Sequence, residues 1–248
     1  MSAPVLLAVS HGTSSPDGQA AVQALVDAAA AALQGVVVQL GHVDVQEPDV
    51  AASLAALPHG SRVVVVPLLL SAGYHVHVDL RKATADHPEV HLAPALGPDA
   101  RLARVLAGRL EDAGADDSPH GSDAIVLAVA GSSDDRANDD CRAQAKLLAD
   151  ELGVDVTIGF LAAAEPRLAT AVAAARTGDG GATRVIVSSY LMAPGYFHDL
   201  VERAGADVVT RPLLDAQHGM AEAPAPELVD LVVQRYLDAL DGPVSSSL

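Results

Sequence analysis

Three side chains able to bind metal or move protons stand where the chain leaves its first three apolar runs. His11 follows "VLLAVS", Glu47 follows "VVVQLGHV" and His75 follows "RVVVVPLLL". Two imidazoles and a carboxylate suit a divalent transition metal, for which both are common ligands. The same set suits proton removal near neutral pH, where imidazole changes its charge. Either chemistry requires the three groups to converge, so the elements that carry them decide the matter.

Those elements are strands alternating with Ala-rich helices. Strands are expected at "VLLAVS", "VVVQLGHV", "RVVVVPLLL", "VHLAP", "DAIVLAVA", "VDVTIGFL", "TRVIVSSYL" and "ADVVTRP", with helices between them such as Gln19–Leu33, Asp49–Leu57, Arg101–Ala113, Cys141–Leu152 and Glu227–Leu240. Runs that are apolar on both faces and alternate with helices predict an α/β fold with parallel sheets flanked by helices on both sides, doubly wound. In such a sheet the strand C-termini share one edge, where α/β proteins bind ligands. With the common order 2-1-3 and neighbours about 4.8 Å apart, His11, Glu47 and His75 converge above the sheet.

The chain also repeats itself. "LAVSHGTSS" is echoed by "VLAVAGSSD", "VQEPDVAASLAAL" by "AAEPRLATAVAAA" and "VVVVPLLLSAGYHVHVDL" by "VIVSSYLMAPGYFHDL". The separations agree: 119 residues from Gly12 to Gly131, 118 from Pro48 to Pro166 and 122 from Tyr74 to Tyr196. Three echoes in one order imply duplication, with domains at 1–118 and 119–248 joined through the Gly-, Ser- and Asp-containing "GADDSPHGS". The copies differ where chemistry is expected, because Ala130 stands opposite His11. A residue required by the fold would be present in both.

Each candidate has a competing structural role. Glu47 precedes a helix start, where a carboxylate complements the helix dipole, and Glu165-Pro166 repeats that arrangement. In a strand His75 and His77 would share one face, whereas at a helix start, the favoured reading, His75 faces Asp79, which would orient its ring, and His77 faces solvent. His42, His59, His87, His91, His120 and His218 form no constellation, and surface or turn roles are expected.

Composition excludes several classes. The 248 residues are half hydrophobic, enough for one large core or two smaller ones. A net charge of -17 and 2% aromatics lack the basic stripe and stacking platforms of nucleic-acid binders. No apolar run is long enough to span a bilayer and the N-terminus lacks a secretory pattern, so a cytoplasmic protein without a membrane partner is expected. The single Cys141 excludes an internal disulfide or CxxC site and reads as a half-buried helical thiol. No Walker A motif is present, and the polar end "GPVSSSL" reads as frayed.

"LLAVSHGTSSP", "VQEPDVAASLAAL" and "VPLLLSAGYHVHVDL" together resemble the class II chelatases of the sirohydrochlorin branch. The resemblance spans the whole chain as the family's two-domain long form, with the active site in the N-terminal half. It implies a chelatase that inserts Fe2+ or Co2+ into sirohydrochlorin for sirohaem or cobalamin synthesis, with no prosthetic group. It makes His11 and His75 the catalytic and metal-binding pair, assisted by Glu47. The absence of a His-rich or cysteine-containing tail tilts the metal toward iron. The polycarboxylate substrate meets a strongly acidic protein, so local donors are needed. Candidates are the loop Gly12, Thr13, Ser14 to Ser15 at a helix start and the matching loop around Ser132, with Arg81, Lys82 and Arg136 as further charges. Tyr196 and Phe197 are expected to face the macrocycle from the second half, which supplies the other wall of a monomer. The competing readings are a non-catalytic metal or tetrapyrrole binder and a histidine phosphatase, the latter disfavoured because Ser10 stands where such an enzyme needs arginine.

Overall fold

A computed structural model of the chain describes residues 3–58, 60–71, 73, 80–85, 87, 89–115, 123–177 and 182–241. His59, His75, His77, Asp79, His120 and the expected 118/119 boundary lie outside the described residues.

Two four-stranded parallel sheets form from the predicted strands. In the first, β1 (Val5–Ser10) lies between β2 (Val38–His42) and β3 (Val63–Pro67), and β3 pairs with β4 (Val90–Leu92), giving the order β2-β1-β3-β4. In the second, β5 (Asp123–Val129), β6 (Val156–Phe160), β7 (Arg184–Tyr190) and β8 (Val208–Val209) repeat that order as β6-β5-β7-β8. The 2-1-3 arrangement expected from the sequence is present in both.

Each sheet buries two faces by strict alternation. Val5, Leu7, Val9, Val63 and Val65 pack under α2 (Val50–Ala55) and Leu80, while Leu6, Ala8, Val64 and Val66 turn the other way. In the second sheet Val126, Ala128, Val185 and Val187 pack with α5 (Leu168–Thr177) and with Val201 of α6 (Tyr196–Glu202). The remaining faces of both sheets meet in one cluster filled by α1 (Pro16–Ala32), α3 (Ala100–Asp112), α4 (Asp135–Leu152) and α7 (Pro226–Asp241). The last helix of each half crosses over: α3 lies against β7 and α4, and α7 lies against β3 and α1. Tyr236 of α7 donates to the Pro4 carbonyl at 2.7 Å, and Arg235 donates to the Ala95 and Leu96 carbonyls, each at 3.0 Å.

Two helices begin earlier than apolar periodicity suggested. α1 starts at Pro16, with Ser15 as cap accepting from the Gly18 amide, and α4 starts at Asp135, with Asp134 accepting from the Arg136 amide. A cap and a first-turn proline or aspartate set these starts, whereas the buried stripe begins further along. Cys141 is buried rather than half-buried, and its thiol is pushed up to about 11, chiefly by burial. A short hairpin, β9 (Ala216–Gln217) and β10 (Met220–Ala221), turns at His218 and Gly219, both with positive φ, and the Gly219 amide donates to Asp17 at 2.6 Å.

The loops after β1 and β5 cross their neighbours at glycine. Gly12 has φ +94°, and a Cβ there would stand 1.9 Å from the Asp44 carbonyl oxygen; Gly131 has φ +82° and would stand 2.0 Å from that of Ala162. Gly131→Ala should therefore lower stability by at least about 2 kcal/mol through left-handed strain and backbone displacement, read as a shifted urea midpoint.

His42 and His198 are both withdrawn from solvent, and burial holds each imidazole below its ordinary value of 6.5, against the opposing pull of Glu47 on His42 and of Glu202, Asp215 and Asp199 on His198. As pH falls below the unfolded value, the unfolded chain takes up protons that the folded chain does not, so stability present above it is lost. The melting temperature should drop between about pH 7.5 and 5.5, and the drop should shrink in His198→Gln.

Candidate functional site

β1 and β2 end level with one another, Ser10 opposite His42, and open into loops at the same edge. His11 is the first residue beyond β1 and its side chain is exposed. Its carbonyl accepts from the Asp44 amide at 3.0 Å, and that of Ser10 accepts from the Val43 amide at 2.9 Å. The histidine and the loop after β2 are thus braced by backbone bonds as well as by the Gly12 crossing. β3 reaches the same edge at Pro67, eight residues before His75, which itself lies outside the described residues.

The second loop turns back tightly. The Gln46 amide donates to the Asp44 carbonyl at 2.7 Å across Val45, whose φ is 66°, and Ala164 donates to Ala162 at 2.7 Å across Ala163, φ 57°. Such a bond between residues two apart with positive φ is a γ-type turn. Glu47 follows; its exposed carboxylate accepts from the Asp49 amide at 3.0 Å, just as Glu165 accepts from Arg167 at 2.8 Å. The role of helix-start partner, weighed for Glu47 on sequence grounds, is therefore realised in both halves.

Asp44 behaves differently. Aligning "HVDVQEP" with "FLAAAEP" puts Ala162 opposite Asp44, so this carboxylate, like His11, belongs to the first half alone. It is exposed, and its Oδ1 accepts from the Val45 amide at 2.7 Å. The signal for it in the sequence is the internal repeat, which preserves Glu47 as Glu165 but replaces Asp44 by Ala162.

His42 is a second residue whose place differs from expectation. It is 4% exposed, not at the surface, with Nδ1 2.9 Å from the Ser10 hydroxyl. The last position of a buried strand beside β1 leaves it nowhere else to go. It lines an open cleft of 440 Å³ with Gln19, Gln46, Glu47 and Pro48, beside the His11 loop.

The loop expected to receive carboxylates has two of its amides already taken, one by a neighbouring loop and one within itself. The Thr13 amide donates to Gln46 Oε1 at 2.8 Å, the Thr13 carbonyl accepts from Gln19 Nε2 at 2.8 Å, and the Ser15 amide donates to Thr13 Oγ1 at 3.1 Å. In the second half Asn138 holds Ser132 by amide and carbonyl at 2.9 and 2.8 Å. Satisfied amides are not open anion donors; what the first loop turns outward is the exposed side chain of Ser14. Arg136 is paired with Asp134 at 3.3 Å, while Arg81 and Lys82 are exposed.

The second half reaches this edge through the segment before α6. A Cβ on Gly18 would stand 2.4 Å from the Pro194 carbonyl oxygen, and one on Gly195 3.2 Å from Thr13 Oγ1. Tyr196, 70% exposed, and Phe197, 40% exposed, follow at once, their rings edge to face with centroids 5.7 Å apart. Two exposed aromatic rings are conspicuous in a chain with four tyrosines, two phenylalanines and no tryptophan. They stand beside the loop that carries His11. Among the described residues no group of three His, Cys, Asp or Glu side chains could hold a metal ion.

Comparison with solved structures returns close folds. SirB from Bacillus subtilis with Fe3+ matches at a TM-score of 0.76 and 21% identity over 95% of both chains. The sirohydrochlorin chelatase SirB from Bacillus subtilis subspecies spizizenii in complex with cobalt matches at 0.73 and 17%, over 98% of this chain and 97% of that one. CbiX, the terminal enzyme for biosynthesis of siroheme in denitrifying bacteria, matches at 0.68 and 20%, over 95% and 99%. At such identities the likeness establishes the fold. Comparison with curated proteins returns no match. The family model CbiX, however, matches twice, over residues 5–113 and again over 124–239, in line with the duplicated sheets, so the chain belongs to the CbiX family.

Proposed function

We propose that the protein is a cytoplasmic sirohydrochlorin chelatase, inserting Fe2+ or Co2+ for sirohaem or cobalamin synthesis without a prosthetic group. One observation carries this reading: the exposed imidazole of His11 stands at the open sheet edge of the first half alone, in a chain of the CbiX family. The names of the matching structures, with iron and with cobalt, support it.

Insertion replaces two pyrrole N–H protons by M2+, so the site must hold a cation weakly and accept protons. Neutral imidazole does both, and His11 and His75 are assigned these roles. Negative charge near the imidazoles attracts the cation and favours each imidazolium as it forms. Asp44 and Glu47 can both supply it; Asp44 is the acid without a counterpart in the second half. Tyr196 and Phe197 offer an apolar wall to the macrocycle, and Gly12, Thr13, Ser14 and Ser132 border its carboxylates, with hydroxyl groups rather than the bonded amides as donors. No helix among the described residues is long and apolar enough to cross a membrane.

Anaerobic assay with sirohydrochlorin and either metal, followed by macrocycle absorbance, should show turnover above the uncatalysed rate. His11→Ala should lose about 100-fold or more in kcat. Stoichiometric binding without turnover would instead leave a binding protein. Asp44→Asn should slow insertion more than Glu47→Gln, whose amide oxygen still accepts from Asp49; the reverse order would return the acidic role to Glu47. Unchanged substrate affinity in Tyr196→Ala, Phe197→Ala would remove the aromatic wall.

A further inference from the structure

The residue after His11-Gly12 is gripped from two directions, and the two halves achieve the grip differently. In the second half one side chain suffices: Asn138, on the first turns of α4, takes both the amide and the carbonyl of Ser132. In the first half the equivalent helical residue is Gln19, which takes only the carbonyl of Thr13, and the amide goes to Gln46 on the loop after β2. Ala164 stands opposite Gln46 and makes no such bond by its side chain. The second half shows that this loop can be held by its own helix. The bond across to Gln46 is thus dispensable for the fold of the loop, yet the half that carries His11 has it.

Its effect is positional. Gln46 lies two residues after Asp44 and directly before Glu47, and Thr13 lies two after His11. A 2.8 Å bond between Gln46 Oε1 and the Thr13 amide therefore closes a ring of backbone whose other links are the His11–Asp44 bond and the Gly12 crossing. With Asp44 turned on itself at Val45, the ring fixes the backbone points from which the imidazole and the carboxylate leave.

We infer that Gln46 is a positioning residue: through Thr13 it sets the spacing of the His11 imidazole and the carboxylates of the 44–47 loop, and so the affinity of that edge for a divalent cation. This rests on the reading of the edge as a metal-handling site. Groups that orient metal-binding side chains typically govern affinity and rate by about 10- to 100-fold.

The test uses the full chain and Co2+ alone, titrated calorimetrically, with insertion kinetics alongside. Gln46→Ala should bind Co2+ about tenfold more weakly and lose kcat, with KM for the tetrapyrrole little changed. Gln46→Glu keeps the acceptor but adds a carboxylate that itself attracts Co2+, so its rescue is read as recovery of kcat at saturating metal. The decisive variant is Gln19→Asn combined with Gln46→Ala, which installs the grip used by the second half. It should melt like the wild type yet remain weak for Co2+; recovery of affinity with that grip would reduce Gln46 to a loop stabiliser and overturn the inference. So would a Gln46→Ala protein equal to the wild type in Co2+ affinity while His11→Ala has lost turnover. A wild type that binds Co2+ but never turns over sinks the chelatase reading and leaves the inference to be judged on affinity; a wild type that binds no Co2+ sinks the inference, and turnover with Fe2+ then decides the chelatase reading.

Discussion

The architecture depends on one constraint: a parallel sheet buried on both faces needs cover on both. Here two such sheets share a single apolar layer of helices, α1, α3, α4 and α7, into which Leu6, Ala8, Val64 and Val66 point from one side and Ile125, Leu127, Val129 and Ile186 from the other. Because α3 crosses to the second sheet and α7 to the first, each half leaves an inner face uncovered without its partner. Polar ties run along the same seam. Tyr190 donates to the Leu70 carbonyl at 3.0 Å, and Gln144 Oε1 accepts from the Asp99 amide at 2.9 Å. Such bonds, partly buried, fix the mutual register of two surfaces that apolar contact alone would leave free to slide.

A rigid seam brings the C-terminal loops of the second sheet against those of the first. Gly18 and Gly195 permit the contact, and the Tyr196–Phe197 pair is thereby placed beside the His11 loop. The duplicated halves then divided their tasks. Both keep the glycine crossing, the γ-type turn and the Glu-Pro helix start, which are backbone solutions to leaving a strand edge. Only the first keeps an imidazole at position 11, an acid at 44 and an amide at 46. The comparison between copies separates what the backbone requires from what chemistry requires, and it does so within one chain.

Net charge of -17 makes the protein attractive to cations as a whole, which suits a metal substrate and works against an anionic macrocycle. The amides of Thr13, Ser15 and Ser132 do not offset this, since they are bonded internally. Recognition of such a ligand would therefore lean on apolar contact and hydroxyls more than on charge.

Much of this was legible in the sequence. Apolar runs such as "VVVV", buried on both faces, specify parallel strands by composition alone, and the repeat announces two similar sheets; the edge that carries His11 and the divergence at Ala130 follow from these local patterns, whereas the strand order 2-1-3 is expected only as the common order of doubly wound sheets. What the linear pattern could not reveal is which polar atoms meet. Helix starts were set by Ser15 and Asp134 rather than by the apolar stripe. His42 went inside as the last residue of β2, and its ring nitrogen met the hydroxyl of Ser10, 32 residues away. The amides of Thr13 and Ser15 were taken by side chains near them only after folding. Helix exchange between halves was equally hidden, since α3 and α7 present ordinary amphipathic faces that would fit either sheet. Burial and periodicity are properties of a segment and can be read from it; hydrogen-bond pairing and the choice of packing partner are properties of two segments at once, and only the tertiary structure decides them.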